Sequence, residues 1–221
     1  MIRRVVLAAI LAGIAAGLVM SAVQHWRVTP LILEAEAYET ALLHHGEEEA
    51  WAPADGVQRT AFTVIFNVLT GVAFALIAAA ASLLTRLPLT SNTGLIWGLA
   101  GFATFMLAPS AGLPPELPGM AAGDLTGRQL WWWSAVAATA GGIGLIALTR
   151  HFAWKAAAIG LIALPHVIGA PHATGDASAV PAGLANAFAA NAIAVSAVFW
   201  IVLGVSLGFL LARQTGAQEV S

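Results

Sequence analysis

Long uninterrupted apolar runs constrain this chain more than any other feature. Six can be marked along its 221 residues, and they are Val5–Val23, Ala61–Leu84, Gly94–Ala108, Leu130–Leu148, Ala156–Ala170 and Phe188–Ala212. A helix needs about 20 mostly apolar residues to cross a bilayer, with a range of about 17 to 25. The first, second, fourth and sixth runs meet that length, whereas the third and fifth are short. Only 9% of the residues are charged, against about 25% in a soluble domain, so the chain is predicted to be an integral membrane protein.

The predicted fold class is all-α, a polytopic helical membrane protein with about six transmembrane helices in a single domain over residues 1–221. The spans are placed at residues 5–24, 60–84, 93–109, 129–149, 155–170 and 187–212, with an outer loop over residues 25–59. A count of five stays open because the fifth run is the weakest. The first run also has features of a signal peptide, but its length and the spans that follow favour an uncleaved helix.

Basic residues set the predicted orientation, because cytoplasmic loops retain Lys and Arg. With six crossings and the N-terminus inside, the outer side holds three of the nine basic residues, namely Arg27, Arg59 and Arg128. Both termini are then cytoplasmic. The same topology places every acidic residue except Glu219 outside, although acidic residues were not used to choose it.

The segment Pro30–Glu49 concentrates the ionisable groups of the outer loop. Its carboxylates belong to Glu34, Glu36, Glu39, Glu47, Glu48 and Glu49, and they lie beside Tyr38, His44 and His45. We predict a helix over Pro30–Leu43 on the outer membrane surface, because Leu31, Ala35, Tyr38 and Leu42 form one apolar stripe. For His44, His45 and the three glutamates that follow, a solvated loop without further function is an equal alternative.

Oxygen and imidazole groups on the outer side are the candidate metal ligands. The predicted set is His25, Glu34, Glu36, Tyr38, Glu116 and His166. Imidazole and carboxylate together suit borderline divalent ions such as Co, Ni or Zn. Asn67 and Asn191, deeper in the second and sixth runs, are the predicted translocation path, with interhelical hydrogen bonding as the alternative.

The sequence lacks the motifs that several classes of function require. The single lysine, Lys155, lies in AWKAAA and not in a phosphate-binding loop. The motifs of membrane hydrolases are absent, and so is cysteine. No span carries a carboxylate or histidine at its middle, which argues against a proton relay. We therefore expect no enzyme, no permanently bound cofactor and, with a formal net charge of −2, no nucleic-acid partner.

Smaller patterns predict helix contacts and ends. Close helix packing is indicated by glycines four residues apart, at Gly13 and Gly17, Gly94 and Gly98, and Gly204 and Gly208. The tryptophans at 26, 131–133 and 154 are interpreted as anchors at the membrane surfaces. Asp124 and Arg128 have the spacing of a helical ion pair. Pro165–Pro171 is expected to break the fifth run and leave backbone carbonyls free near His166.

Five sequence blocks carry a resemblance to a known family. They are QHWRVTPLILEAEAYE at Gln24–Glu39, GLAGFATFMLAPSAGLPPELPG at Gly98–Gly119, RQLWW at Arg128–Trp132, PHVIGAP at Pro165–Pro171 and FW at Phe199–Trp200. In this order they resemble CbtA, the probable cobalt transporter subunit. The resemblance implies cobalt uptake for cobalamin synthesis in a bacterial inner membrane, with a small single-span partner of the CbtB type. Members are often described with five spans.

Two functions from different classes follow. The first is a subunit that captures a divalent metal, Co²⁺ by the resemblance, at an acidic, histidine-bearing outer mouth and passes it through a Gly-rich helical bundle. The second is a membrane scaffold or assembly factor that holds a partner and transports nothing. Membrane lipid is an expected neighbour in both, and homo-oligomerisation is left open. Convergence of Glu34, Glu36 and His166 on one cavity would favour the first.

Overall fold

A computed structural model describes residues 2–42, 53–172 and 180–216. Within these ranges every regular element is helical, so the predicted all-α class is confirmed. The helices are α1 Ile2–Arg27, α2 Thr29–Leu42, α3 Val57–Thr85, α4 Gly94–Ser110, α5 Leu125–Leu148, α6 Phe152–Ile168 and α7 Ala182–Gly216.

Four of these helices are long and apolar enough to cross a membrane, namely α1, α3, α5 and α7. They correspond to the four runs that met the required length in the sequence. The apolar helices α4 and α6 are shorter. The 17 residues of α6 extend about 25 Å at 1.5 Å per residue, less than the hydrocarbon core of about 30 Å. The count of six crossings therefore stays a prediction. The orientation of the crossings and the single domain stay predictions as well.

The described chain divides into two compact units. The first contains α1, α3, the start of α4 up to Gly101 and the part of α7 from Ala194 onward. The second contains α2, the remainder of α4, α5, α6 and α7 up to Ile193.

In the first unit, α1 and α3 touch through glycine. A side chain at Gly17 would place its Cβ 2.6 Å from Val68 Cα and 2.7 Å from the Asn67 carbonyl oxygen. A Cβ at Gly71 would meet the backbone of Gly13 in the same way. Only glycine permits this separation, so the predicted close packing at Gly13 and Gly17 is confirmed.

A second glycine contact joins α4 to α7. A Cβ at Gly204 would lie 2.6 Å from Gly98 N and 2.7 Å from Gly98 Cα, and it would also meet the Gly94 carbonyl oxygen. Gly208 approaches the backbone of Thr90 and Gly94. The prediction from these glycine pairs is therefore confirmed as well. In the same unit the Phe74 ring packs on Trp200, with 4.8 Å between ring centroids.

In the second unit, α5 packs on α6 through a stripe that begins with Trp131. The indole Nε1 of Trp131 donates a hydrogen bond to the Pro165 carbonyl at 3.0 Å. Further along, a Cβ at Gly142 would touch the side chain of Ile162. Trp131 is therefore a core residue, and its interpretation as a membrane-surface anchor was wrong. The neighbouring Trp133 is 61% exposed, as an anchor requires.

Helix α6 ends within Pro165–Pro171, the segment where the sequence pattern predicted its end. It includes Pro165 and ends at Ile168, and Gly169 follows with a φ of 90°. The Pro165 carbonyl accepts hydrogen bonds from the Gly169 N–H and from Trp131. The predicted helix end is therefore confirmed, with Gly169 after the last helical residue. The Pro165 carbonyl is not one of the free carbonyls expected near His166, because proline removes only its own donor and its carbonyl still finds partners.

Candidate functional site

Helix α2 carries the densest group of predicted ligands. It runs from Thr29 to Leu42, which confirms the helix predicted over Pro30–Leu43. Ala35 is fully buried, while Leu31 and Tyr38 are half-buried, so the apolar stripe does face the protein. The place of α2 on the outer membrane surface stays a prediction.

The two glutamates of α2 point in different directions. Glu34 is exposed, whereas Glu36 is half-buried and takes part in a further interaction. Residues two apart on a helix are separated by about 200° around its axis and do not face each other. A metal that bound both carboxylates would therefore have to reach around the helix.

Two histidines of the predicted set lie on other elements. His25 is exposed in the last turn of α1. His166 is half-buried near the end of α6, where its ring meets the Trp131 indole in a T-shaped contact with centroids 5.6 Å apart. Trp131 therefore contacts the His166 ring and also binds the carbonyl of the preceding residue, Pro165.

Glu116 has a basic partner. Its carboxylate binds the Arg128 guanidinium through Oε2 and Nη2, and the two side chains are 26% and 23% exposed, respectively. The predicted pair of Asp124 with Arg128 was wrong. Asp124 has an extended backbone and caps α5 by accepting a hydrogen bond from the Gly127 N–H at 2.6 Å. Since it lies before the first helical residue, the helical spacing rule did not apply to it.

A cavity of about 410 Å³ lies beside the Glu116–Arg128 pair, within the second unit. Aromatic and thioether groups form much of its wall, together with a proline-rich loop. The residues that line it include Phe105, Met106, Glu116, Arg128, Trp132 and Trp133. Phe105 and Met106 come from a π-helical turn of α4 at Ala103–Leu107. Such turns are frequent at functional sites.

The two asparagines of the predicted path make helix hydrogen bonds. The Asn67 amide, 4% exposed, donates to Ser21 Oγ at 3.1 Å and to Gln24 Oε1 at 2.8 Å. Asn191 donates to the Ala187 carbonyl one turn earlier in α7 at 2.7 Å. Interhelical hydrogen bonding, the alternative weighed for both residues, is therefore present at Asn67, whereas this bond of Asn191 stays within α7. A role in translocation stays a prediction for both.

No three histidine, aspartate or glutamate side chains lie close enough to hold a metal ion in the ranges that the structure describes. His44, His45 and the glutamates at 47–49 lie outside those ranges. The metal site therefore stays a prediction. Sequence reasoning missed the Glu116–Arg128 pair and the contacts of Asn67 with Ser21 and Gln24.

Comparison with known proteins gives one match. The family model described as probable cobalt transporter subunit (CbtA) matches residues 2–212, nearly the whole chain. No curated protein and no solved structure matches the chain.

Proposed function

The chain belongs to the CbtA family of probable cobalt transporter subunits, and on that premise we propose that it takes part in Co²⁺ uptake across the bacterial inner membrane. The match over residues 2–212 is the observation that carries the proposal. The family description calls the protein a subunit, which implies a partner. A small single-span protein of the CbtB type is the partner we propose, and supply of cobalt for cobalamin synthesis is the purpose.

We place ion capture at the outer ends of the helices. Glu34 and His25 support this role because they are exposed, and His166 because Trp131 holds its ring in place. Carboxylate charge lowers the cost of removing water from the ion, and neutral imidazole favours transition metals over Ca²⁺ and Mg²⁺. Glu36 and Tyr38 flank this surface on α2. We propose that the partner contributes further ligands to this site.

Glu116 is an auxiliary ligand in this scheme. A cation reaches its carboxylate only after Arg128 releases it. From the entrance the ion passes towards Asn67 and Asn191, whose amide oxygens can replace water ligands. In each asparagine the side-chain oxygen is the atom that would coordinate the ion, since an amide nitrogen is a donor and not a ligand.

Uptake of Co²⁺ into liposomes that contain the protein and its partner tests the proposal. We expect the triple variant Glu34→Gln, Glu36→Gln, His166→Ala to reduce the initial rate by about tenfold or more, since even the loss of groups that only support metal ligands costs about 10- to 100-fold. The matched control is Asp55→Asn, which neutralises an exposed acid bound to Arg59 at 2.7 Å. An unchanged rate in the triple variant at normal protein level would remove this entrance.

Two measurements distinguish transport from a scaffold role, one on the same liposomes and one on cells that lack this chain. A scaffold would give no Co²⁺ uptake in the liposomes, and the partner would be lost from the membranes of the cells. A transport subunit gives uptake that requires both proteins together. The family match favours uptake that requires both proteins over a scaffold role.

A further inference from the structure

The cavity beside Glu116 and Arg128 is built differently from a metal site. Its walls combine one carboxylate and one guanidinium with aromatic rings and the thioether of Met106. The Trp132 and Trp133 rings meet in a T-shaped contact with centroids 4.9 Å apart, and Phe105 lies 6.5 Å from Trp132. At about 410 Å³ the space suits a small molecule or the head of a larger one, because ligand pockets span about 300–1,000 Å³.

The ion pair retains capacity for a further partner. A guanidinium has five N–H donors and a carboxylate about four acceptor positions, whereas the bond between Arg128 and Glu116 joins Nη2 to Oε2. Both side chains are about three-quarters buried, so water screens their charges less than it would at an open surface. The cavity therefore offers a positive and a negative binding group side by side.

Charge complementarity restricts what can enter. An anion alone would be attracted by Arg128 but repelled by Glu116. A cation alone would be attracted by Glu116 but repelled by Arg128. A molecule that carries both charges a few ångströms apart satisfies both groups, with the pair left in place. Aromatic faces attract ammonium groups, so Trp132 and Trp133 favour an amine as the positive part.

The position of the cavity indicates the source of such a molecule. It is bordered by Leu125 at the start of α5 and by Trp133, which are 66% and 61% exposed, respectively. Tryptophan beside exposed apolar residues at the end of a long apolar helix is typical of the headgroup region of a bilayer. A lipid there can keep its acyl chains against the apolar surface while its head occupies the cavity.

We propose that this cavity binds the headgroup of a zwitterionic phospholipid. The phosphate lies on the Arg128 guanidinium, and the ammonium lies between the Glu116 carboxylate and the indoles of Trp132 and Trp133. This site shares Glu116 with the auxiliary step of the proposed metal capture, but it uses neither Glu34 nor His166, and the headgroup binds while the Glu116–Arg128 pair is intact.

Binding of short-chain lipids to the purified full-length protein in detergent tests the proposal. The probes are dihexanoyl phosphatidylethanolamine, dihexanoyl phosphatidylglycerol and free phosphoethanolamine, with Kd measured by titration calorimetry. We expect the ethanolamine lipid to bind at least tenfold more tightly than either of the others. Equal binding of the glycerol lipid, which has no amine, would overturn the charge argument. Equal binding of free phosphoethanolamine would overturn the assignment to lipid, and no binding of any probe would overturn the site.

Variants locate the binding. Arg128→Gln and Glu116→Gln should each weaken binding of the ethanolamine lipid at least tenfold. The control Arg150→Gln, an exposed arginine beyond the other end of α5, should not. If a single variant misfolds, the exchange Glu116→Arg with Arg128→Glu retains the ion pair and should still lose binding, because the phosphate and the amine would meet groups of their own charge. Unchanged affinity in a folded exchange variant would contradict the proposal.

Discussion

Replacing Gly204 with alanine tests the backbone contact between α4 and α7. The added Cβ would lie 2.6 Å from Gly98 N and 2.7 Å from Gly98 Cα, and it would also meet the Gly94 carbonyl oxygen. An ordinary contact needs at least 3.4 Å, so the 2.6 Å approach to Gly98 N alone requires the helices to separate locally by at least about 0.8 Å. Because all three obstructing atoms belong to the backbone, no side chain can swing aside to make room.

The expected cost follows from two opposing effects. Overpacking of this kind destabilises by about 1–3 kcal/mol, while alanine in place of glycine stabilises a helix by about 1 kcal/mol. We therefore expect Gly204→Ala to lower the free energy of unfolding by about 0–2 kcal/mol, and by about 1–3 kcal/mol relative to a glycine-to-alanine change that meets no obstruction. Gly144→Ala on α5 is the matched control, since a Cβ there meets nothing within 4 Å.

Equilibrium unfolding in mixed micelles, followed by tryptophan fluorescence, measures both variants. Trp200 is a suitable reporter because its ring lies against Gly101 near the α4–α7 contact. Gly144→Ala should leave stability unchanged or raise it slightly. If Gly204→Ala were as stable as Gly144→Ala, the two helices would not be in backbone contact and the reasoning would fail.

Two further variants test other contacts. Trp131→Phe retains the ring but removes the hydrogen bond to the Pro165 carbonyl, and it should lower stability by about 0.6–1.7 kcal/mol, the range for such bonds between membrane helices; a melting temperature equal to that of the wild type would contradict this. Asp124→Ala removes the cap on Gly127 and should cost about 1 kcal/mol, whereas Asp124→Asn should cost much less; equal losses in the two variants would show that the cap contributes nothing.

The helices and glycine contacts of this fold could be predicted because their causes are local. Bilayer thickness imposes a minimum length, which α1, α3, α5 and α7 meet within their own sequences. Glycines four residues apart on α1 and α4 lie on one face of a helix, and that face can approach a neighbour closely wherever the neighbour is also small. These statements require no knowledge of the loops.

The site could not be predicted to the same degree, since its contacts depend on how the loops run. Glu116 and Arg128 are 12 residues apart, and a proline-rich loop brings them together, which no helical spacing rule anticipates. Asp124 had the right spacing but lies just outside α5.

The sequence around the tryptophan triplet contained a pattern that distinguishes Trp131 from its two neighbours. Adjacent residues on a helix point about 100° apart, so three neighbouring indoles cannot share one environment. Trp131 is followed at helical spacing by Ala135, Ala138 and Gly142, all of them small and buried. That stripe marked the face of α5 that packs on α6 and should have assigned Trp131 to the core.

The glycine contact between α1 and α3 limits how an ion can travel. Gly17 lies against the backbone of Val68 and Asn67, and the Asn67 amide is bound to Ser21 and Gln24 across the same contact. No open channel with room for a hydrated cation can exist between two helices whose backbones touch. An ion that passed between α1 and α3 at Asn67 would therefore require the two helices to move apart and close again. Each transport event would then be a gated step and not diffusion through a standing pore.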